Sequence, residues 1–534
     1  MSSSAGQRPN LVVVVLDCAR ASMFPGTGGP AGSFPSLEQR REECSVFTRA
    51  STVAPWTLPS HASLFTGRYP WDHGVMGMSR LQIDDSVPTV EGMLRRAGYS
   101  TLALSANGLV SPLFSRAGSF ETYRSAEWWE KTFRWIWPES LPSRPEERKL
   151  GTMGLLSVLW QGLPPRRPRA PPQVYLASAR PTPSLQTAVR AADPRPVPIG
   201  PWVEAASWAA IEGLNRIART LQFPTDPCPL RIAPWIEPTL AGWLAKQPAD
   251  RPVHCFINFL DLHEKYLSDA SVVPNLAAWL RFVRIPQNTR LWLQEKWQPT
   301  AKELEVLRRS YQAILRGLDR RLESLIRILE EAGRWENTLL VVTSDHGQAF
   351  GEHDQIFHTR SPYEPTMHVP LWVRWPRGEG GGRSISEPTS LVDVTPTLLR
   401  AASVESPAVL PGVPLQGESL PARREPVLAM ADGYPSIELY SEGLRPSMME
   451  LLRKVYAIAY DGDFKAIVET REGSVNVFDL RQDPDEQTGF ASTSSGPAVA
   501  AELAARTAAD RINRAGGGGH DAGLEDRLRS WGYL

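Results

Sequence analysis

Two six-residue apolar runs, Leu11–Leu16 and Thr338–Thr343, each lead into a carboxylate, Asp17 at once and Asp345 after Ser344. Both runs are short, continuous and rich in branched residues, the pattern of strands buried on both faces of a parallel sheet. Six residues are too few for a signal-peptide core or a membrane span. The chain must therefore fold around a covered sheet whose strands end in charged groups.

The intervening sequence supplies more of that sheet. Val87–Gly98 reads as a helix closed by its glycine, Ser100–Ser105 as the next strand and Cys255–Leu260 as another. From Lys302 to Glu331 the residues Leu304, Leu307, Tyr311, Ile314, Leu315, Leu318, Leu322, Leu325 and Leu329 keep a three/four spacing, and Gly333 follows. That spacing predicts a long amphipathic helix feeding directly into Thr338–Thr343. Strands alternating with helices imply right-handed crossovers and an α/β fold with a large, mostly parallel sheet flanked by helices. Such sheets bind ligands beyond the carboxyl ends of their strands, so Asp17, Asp261 and Asp345 are expected at one site.

Two regions depart from this pattern. Residues 128–201 are rich in Trp, Pro and Arg and read as an irregular insertion. After about Pro484 the chain is rich in Ala, Ser and Gly and reads as a flexible tail, with Gly516–Gly519 as a break. Between them Lys454–Tyr460, Phe464–Thr470 and Ser474–Leu480, joined by Asp-Gly and Glu-Gly turns, predict a meander in a smaller C-terminal α+β unit. The expected division is 1–400 for the catalytic α/β domain and 401–534 for the C-terminal subdomain.

With 58 basic and 58 acidic residues the net charge is zero, which argues against nonspecific nucleic-acid binding. Four cysteines without close spacing read as free thiols, and a cytoplasmic location is expected. Trp128, Trp129, Phe133, Trp135 and Trp137 predict a packed lid, with membrane contact as the alternative role of this segment.

The segment Trp56–Gly67 places hydroxyls at a Pro-containing turn, which together with strand-end ligands suggests metal-assisted ester cleavage. In order along the chain come Val14-Val15-Leu16-Asp17 with Arg20, Trp56–Gly67 with Tyr69-Pro70 and His73-Gly74, and Phe259–His263. Then follow Thr343–Gly347, Gly351-Glu352-His353 with His358, His368–Leu371, Asp393–Thr397, and Phe478-Asp479-Leu480 before Asp483-Pro484. This series resembles the sulfatase family of the alkaline phosphatase superfamily, and the resemblance implies a large α/β domain with a smaller C-terminal α+β subdomain. Family sulfatases begin a C/S-x-P-x-R motif with a residue oxidised to formylglycine. Here the corresponding stretch is Thr57-Leu58-Pro59-Ser60-His61. A branched Cβ cannot become that aldehyde, so no formylglycine is expected. Threonine at this place is similar to the nucleophile of superfamily phosphodiesterases and phosphoglycerol transferases.

A threonine hydroxyl needs a metal or a base to act as a nucleophile. The expected metal ligands are Asp17, Asp345 and His346, with Thr57 Oγ completing the set. Mixed oxygen and nitrogen donors favour Zn²⁺ or Mn²⁺, with Ca²⁺ or Mg²⁺ as alternatives. From the resemblance, His61, His263 and His358 bind the transferred group's oxygens or protonate the leaving group, and His263 is alternatively a second metal's ligand. Cys18 is expected to be a small buried residue rather than a zinc ligand, Ser60 a helix-start residue and His353 a loop-packing residue. The expected reaction is hydrolysis or transfer of a phosphate or phosphonate ester through Thr57. A sulfuric-ester hydrolase without formylglycine and a non-catalytic binding protein are the alternatives. The substrate is expected to be a small-molecule, lipid or sugar ester.

Overall fold

The computed structural model describes residues 8–76, 83–107, 110, 120–125, 233–263, 266, parts of 281–300, 301–358, 361–416, parts of 420–432, 453–490 and 496–515. The Trp/Pro-rich segment 128–201 and Gly516–Gly519 lie outside the described residues.

The principal sheet contains β1 (Asn10–Leu16), β2 (Cys44–Phe47), β3 (Ser100–Ser105), β4 (Thr122–Ser125), β5 (Val253–Phe259), β6 (Thr338–Thr343), β7 (Leu371–Arg374) and β8 (Arg383–Ile385). Their order is β8-β2-β7-β6-β1-β5-β3-β4. Only β7 runs antiparallel to its neighbours β6 and β2; the other pairs are parallel. β1 is buried along its whole length, as its unbroken apolar sequence requires.

Register is what builds the site. Leu16 pairs with Phe259, Val15 with Thr343, and Ser105 with Asn258. The carboxyl ends of β1, β3, β5 and β6 therefore fall on one edge of the sheet. Asp17, Asn107 and Asp345 each follow such an end by one or two residues.

The helix Ala301–Glu331 covers one face of the sheet. Thr300 and Glu303 form a reciprocal cap at its start, and Leu307, Tyr311, Leu315, Leu318, Leu322, Leu325 and Leu329 are buried. The helix expected over Val87–Gly98 is shorter, Val90–Arg96.

The C-terminal sheet contains β9 (Val427–Ala431), β10 (Tyr456–Asp461), β11 (Phe464–Glu469) and β12 (Val475–Asp479), antiparallel in that order. The meander is present and gains β9 as an edge strand. Asp461 pairs with Phe464, so Gly462-Asp463 is a two-residue hairpin loop, with Gly462 at φ 53°.

The flexible tail expected after Pro484 is corrected by a helix, Pro497–Ala515, packed on β10 and β11. Ala498, Ala501, Ala505, Ala508, Ala509 and Ile512 are buried on one face. Alanine lets this helix lie close to the strands, and its small side chains give a weak sequence signature. One cluster of buried apolar side chains runs from Val13 and Phe256 of the large sheet to Ala459, Val468 and Ala505 of the C-terminal unit. Among the described residues no helix is long and apolar enough to cross a membrane.

Candidate active site

Asp17 and Asp345 are both fully buried. The Asp17 N–H donates to Phe259 O at 2.9 Å, tying the turn after β1 to the end of β5. Asp345 Oδ1 accepts from the N–H groups of Cys18 at 3.2 Å and His346 at 2.9 Å. Its Oδ2 is buried without a hydrogen-bond partner and lies 3.4 Å from His346 Nε2 and 3.6 Å from His61 Nδ1. Burial pushes the Asp345 carboxyl up to about 6, and burial together with the Asp345 charge raises that of Asp17. Paired carboxylates away from water are costly unless a cation compensates them. Ligand atoms of Asp17, Cys18 and His346 lie within 4.8 Å of one another. His346 Nδ1 is 3.0 Å from Gly347 O, which holds the proton there and turns the Nε2 lone pair toward Asp345. The orphaned Asp345 oxygen and this mixed donor set fit a divalent cation.

Thr57 opens the helix Thr57–Thr66, all ten residues of which are buried. The positive end of that helix lies where charge would develop on Thr57 Oγ1 or on an anion beside it. Asn107 Nδ2 is 2.7 Å from Asp17 Oδ2 and 3.4 Å from Thr57 Oγ1, so it links the hydroxyl to the acidic cluster. Turning its amide would present Oδ1 instead, an orientation set by the surrounding donors and acceptors. Asn107 was not among the sequence-derived candidates, although it follows the end of β3 by two residues, as Asp345 follows β6. Ser60 donates to Ala54 O at 2.7 Å and lies 2.9 Å from Thr52 Oγ1, a helix-start role.

His61 is placed differently from the expectation. It is fully buried, with Nδ1 2.8 Å from Thr57 O and Nε2 3.0 Å from Asn258 Nδ2. The Asn258 amide donates to Nε2, so Nδ1 donates to Thr57 O. Burial pushes its pKa down to about 3, which keeps the ring neutral. His61 braces the backbone of Thr57 instead of facing a substrate.

His263 and His358 are half-buried, with ring centroids 4.6 Å apart, and His358 stands 4.9 Å from the His346 ring. They form the solvent side of the site. Cys18 Sγ reaches both the acidic cluster, 3.3 Å from Asp17 Oδ1, and the histidine pair, 3.8 Å from His358 Nδ1. Cys18 is fully buried, as expected, and its Sγ stands between these two groups. Asp261 is a further correction. It turns away to Arg321, 3.3 Å from Nη1, and Arg321 also holds Glu237 at 2.6 Å. His353 packs its ring against Tyr363 with centroids 3.7 Å apart, as expected of a loop residue.

The sulfatase family profile matches residues 9–148 and 240–404, and the C-terminal profile of N-sulphoglucosamine sulphohydrolase matches 351–512. Choline-sulfatase of Rhizobium meliloti is 24 % identical over 526 residues, covering 93 % of this chain and 85 % of that protein. Arylsulfatase K of Xenopus laevis is 33 % identical over 197 residues, covering 36 % of this chain and 35 % of the relative. Among solved structures, the phosphonate monoester hydrolase of Agrobacterium radiobacter superposes with a TM-score of 0.55 at 18 % identity, covering 98 % of this chain and 96 % of that one. The profile spans more than half of the sequence, Asp17 and Asp345 included, so the chain belongs to the sulfatase family of ester hydrolases.

Proposed function

We propose that the protein cleaves a phosphate or phosphonate ester through a covalent phospho-Thr57 intermediate. The observation that carries this reading is the place of Thr57. It is a hydroxyl that cannot become formylglycine, at a helix N-terminus, 3.4 Å from an Asn107 amide bonded to Asp17.

The residues that would hold a divalent cation are Asp17, Asp345 and His346, with Asn107 and Thr57 Oγ1 beside them. Such a cation supplies positive charge that lowers the pKa of the Thr57 hydroxyl and offsets charge on the phosphoryl group. Thr57 Oγ1 forms the new bond to phosphorus as the bond to the alcohol oxygen breaks, and the helix N-terminus faces the phosphoryl oxygens. His61 fixes the Thr57 backbone while this occurs. His263 and His358, on the open side, take up charge that develops on the leaving oxygen. Attack by water, or by a second alcohol, on phospho-Thr57 returns the hydroxyl.

A second reading, a sulfuric-ester hydrolase that uses Thr57 without oxidation, is favoured by the similarity to choline-sulfatase across 93 % of the chain. Turnover of matched p-nitrophenyl phosphate monoester, phosphate diester, phosphonate monoester and sulfate separates the two. Phosphorus-ester cleavage well above sulfate cleavage is expected, falling roughly 10³-fold or more in Thr57→Ala. Dominant sulfate turnover would replace the first reading with the second.

A further inference from the structure

Three residues outside the proposed Asp17, Asp345 and His346 ligand set converge beside it, although Cys18 also lies within reach of Asp17 and His346. Cys18 lies two residues past β1, His263 four past β5, and His358 just beyond the short strand Ile356–Phe357. One ligand atom from each lies within 4.8 Å of the other two. Tetrahedral zinc with Zn–S near 2.3 Å and Zn–N near 2.0 Å places sulfur and nitrogen ligands about 3.5 Å apart. Cys18 Sγ lies against the His358 ring, 3.8 Å from its Nδ1 edge, and the two histidine rings are in edge contact at 4.6 Å.

Two further features aim these groups. Cys18 has φ 64°, a left-handed conformation unfavourable for a residue with a Cβ. Neighbours impose it: the Cys18 N–H donates to Asp345 Oδ1 at 3.2 Å, and Tyr311 Oη donates to Cys18 O at 2.8 Å. The second feature concerns His358. Gln348 Nε2 donates to Tyr266 Oη at 2.7 Å, which directs Oε1 to His358 Nδ1 at 3.2 Å. That contact places the proton on Nδ1 and leaves the lone pair on Nε2, the outer-shell arrangement common to metal-ligating histidines.

We infer that Cys18, His263 and His358 form a second divalent-cation site of zinc type, adjoining the one at Asp17, Asp345 and His346. One thiolate and two imidazoles suit Zn²⁺ and disfavour Ca²⁺ or Mg²⁺. Three protein ligands leave a position open to solvent or substrate, and the two histidines are only partly buried. The inference rests on the metal-dependent reading of the first site.

The test is metal stoichiometry, which does not depend on knowing the substrate. Protein stripped with chelator is reloaded with Zn²⁺ or Co²⁺, and bound metal is counted by mass spectrometry. The Co²⁺ form is also examined for thiolate-to-cobalt charge transfer in the near ultraviolet. Two equivalents per chain and a thiolate band are expected. Cys18→Ser should lose the band and one equivalent, and His263→Ala or His358→Ala one equivalent, while Asp345→Asn loses the other equivalent and keeps the band. Thermal unfolding of each variant checks that it folds. One equivalent that survives Cys18→Ser but not Asp345→Asn overturns the second site and leaves the single-metal reading standing. One equivalent that carries the thiolate band and needs both Asp17 and Cys18 also overturns it, placing Cys18 in the first site. Binding of no metal would overturn both.

Discussion

At the scale of single residues, the site depends on a backbone conformation as much as on its ligands. Cys18 can aim Sγ between two groups of donors only while its backbone stays left-handed, and Tyr311 is what holds it. The buried Tyr311 hydroxyl accepts from the Arg20 N–H and donates to Cys18 O, both at 2.8 Å. Phenylalanine keeps the ring and leaves these backbone groups unpaired, which costs about 1–3 kcal/mol. Tyr311→Phe is therefore expected to lower stability by that amount in urea unfolding, and to lower kcat more than it raises KM. Unchanged stability and kcat would show that Cys18 needs no such support. Asp17, Thr57, Asp345 and His346 were legible in the sequence because each sits at a strand end or a motif turn. Cys18 was weighed only as a neighbour of Asp17, and its approach to His263 and His358 is visible only in the fold. The burial of His61 and its bond to Asn258 were not legible, because they follow from the packing of β5 against the Thr57 helix.

At the scale of elements, register decides which strand-end acids meet. Asp17 and Asp345 point into one site, whereas Asp261, two residues past its strand just as Asp345 is, reaches back to the long helix. Arg321 compensates it there and stacks its guanidinium over Phe259, 4.3 Å from the ring centroid. Burial pushes the Asp261 carboxyl up to about 6 despite that partner. Removing the cation from a buried pair strands the anion, at a cost of roughly 3–5 kcal/mol. Arg321→Leu is expected to lose about that much stability, and adding Asp261→Asn should recover part of it, a non-additivity measured in a double-mutant cycle. Asp261→Asn alone should leave bound metal unchanged; a lost equivalent would return Asp261 to the site. A rule that places ligands at strand ends cannot distinguish these outcomes, since Asp345 and Asp261 stand at the same offset and differ in the Arg321 partner that the long helix supplies.

At the scale of the whole molecule, one apolar core joins the large sheet to the C-terminal unit among the described residues. The division expected near residue 400 separates sheets, but the buried cluster passes from Phe256 through Val394 and Leu428 to Ala459 and Ala505. A shared core implies shared cooperativity, because neither sheet can lose its cover without exposing the other. The helix Pro497–Ala515 is the test point. It was read as a tail because alanine carries little hydrophobic signal, yet Ala505 is fully buried on β10 and β11. Ala505→Glu would place a charge and extra volume in that contact, a change of ~3 kcal/mol or more. Calorimetry is expected to show one transition in both proteins, displaced downward in the variant, with chelator-released metal dropping at the same temperature. A variant trace in which a first transition separates from a second, metal-retaining one would mean that the catalytic sheet folds without its C-terminal cover. In that case the C-terminal unit could not be what rigidifies the strand ends that hold Asp17 and Asp345.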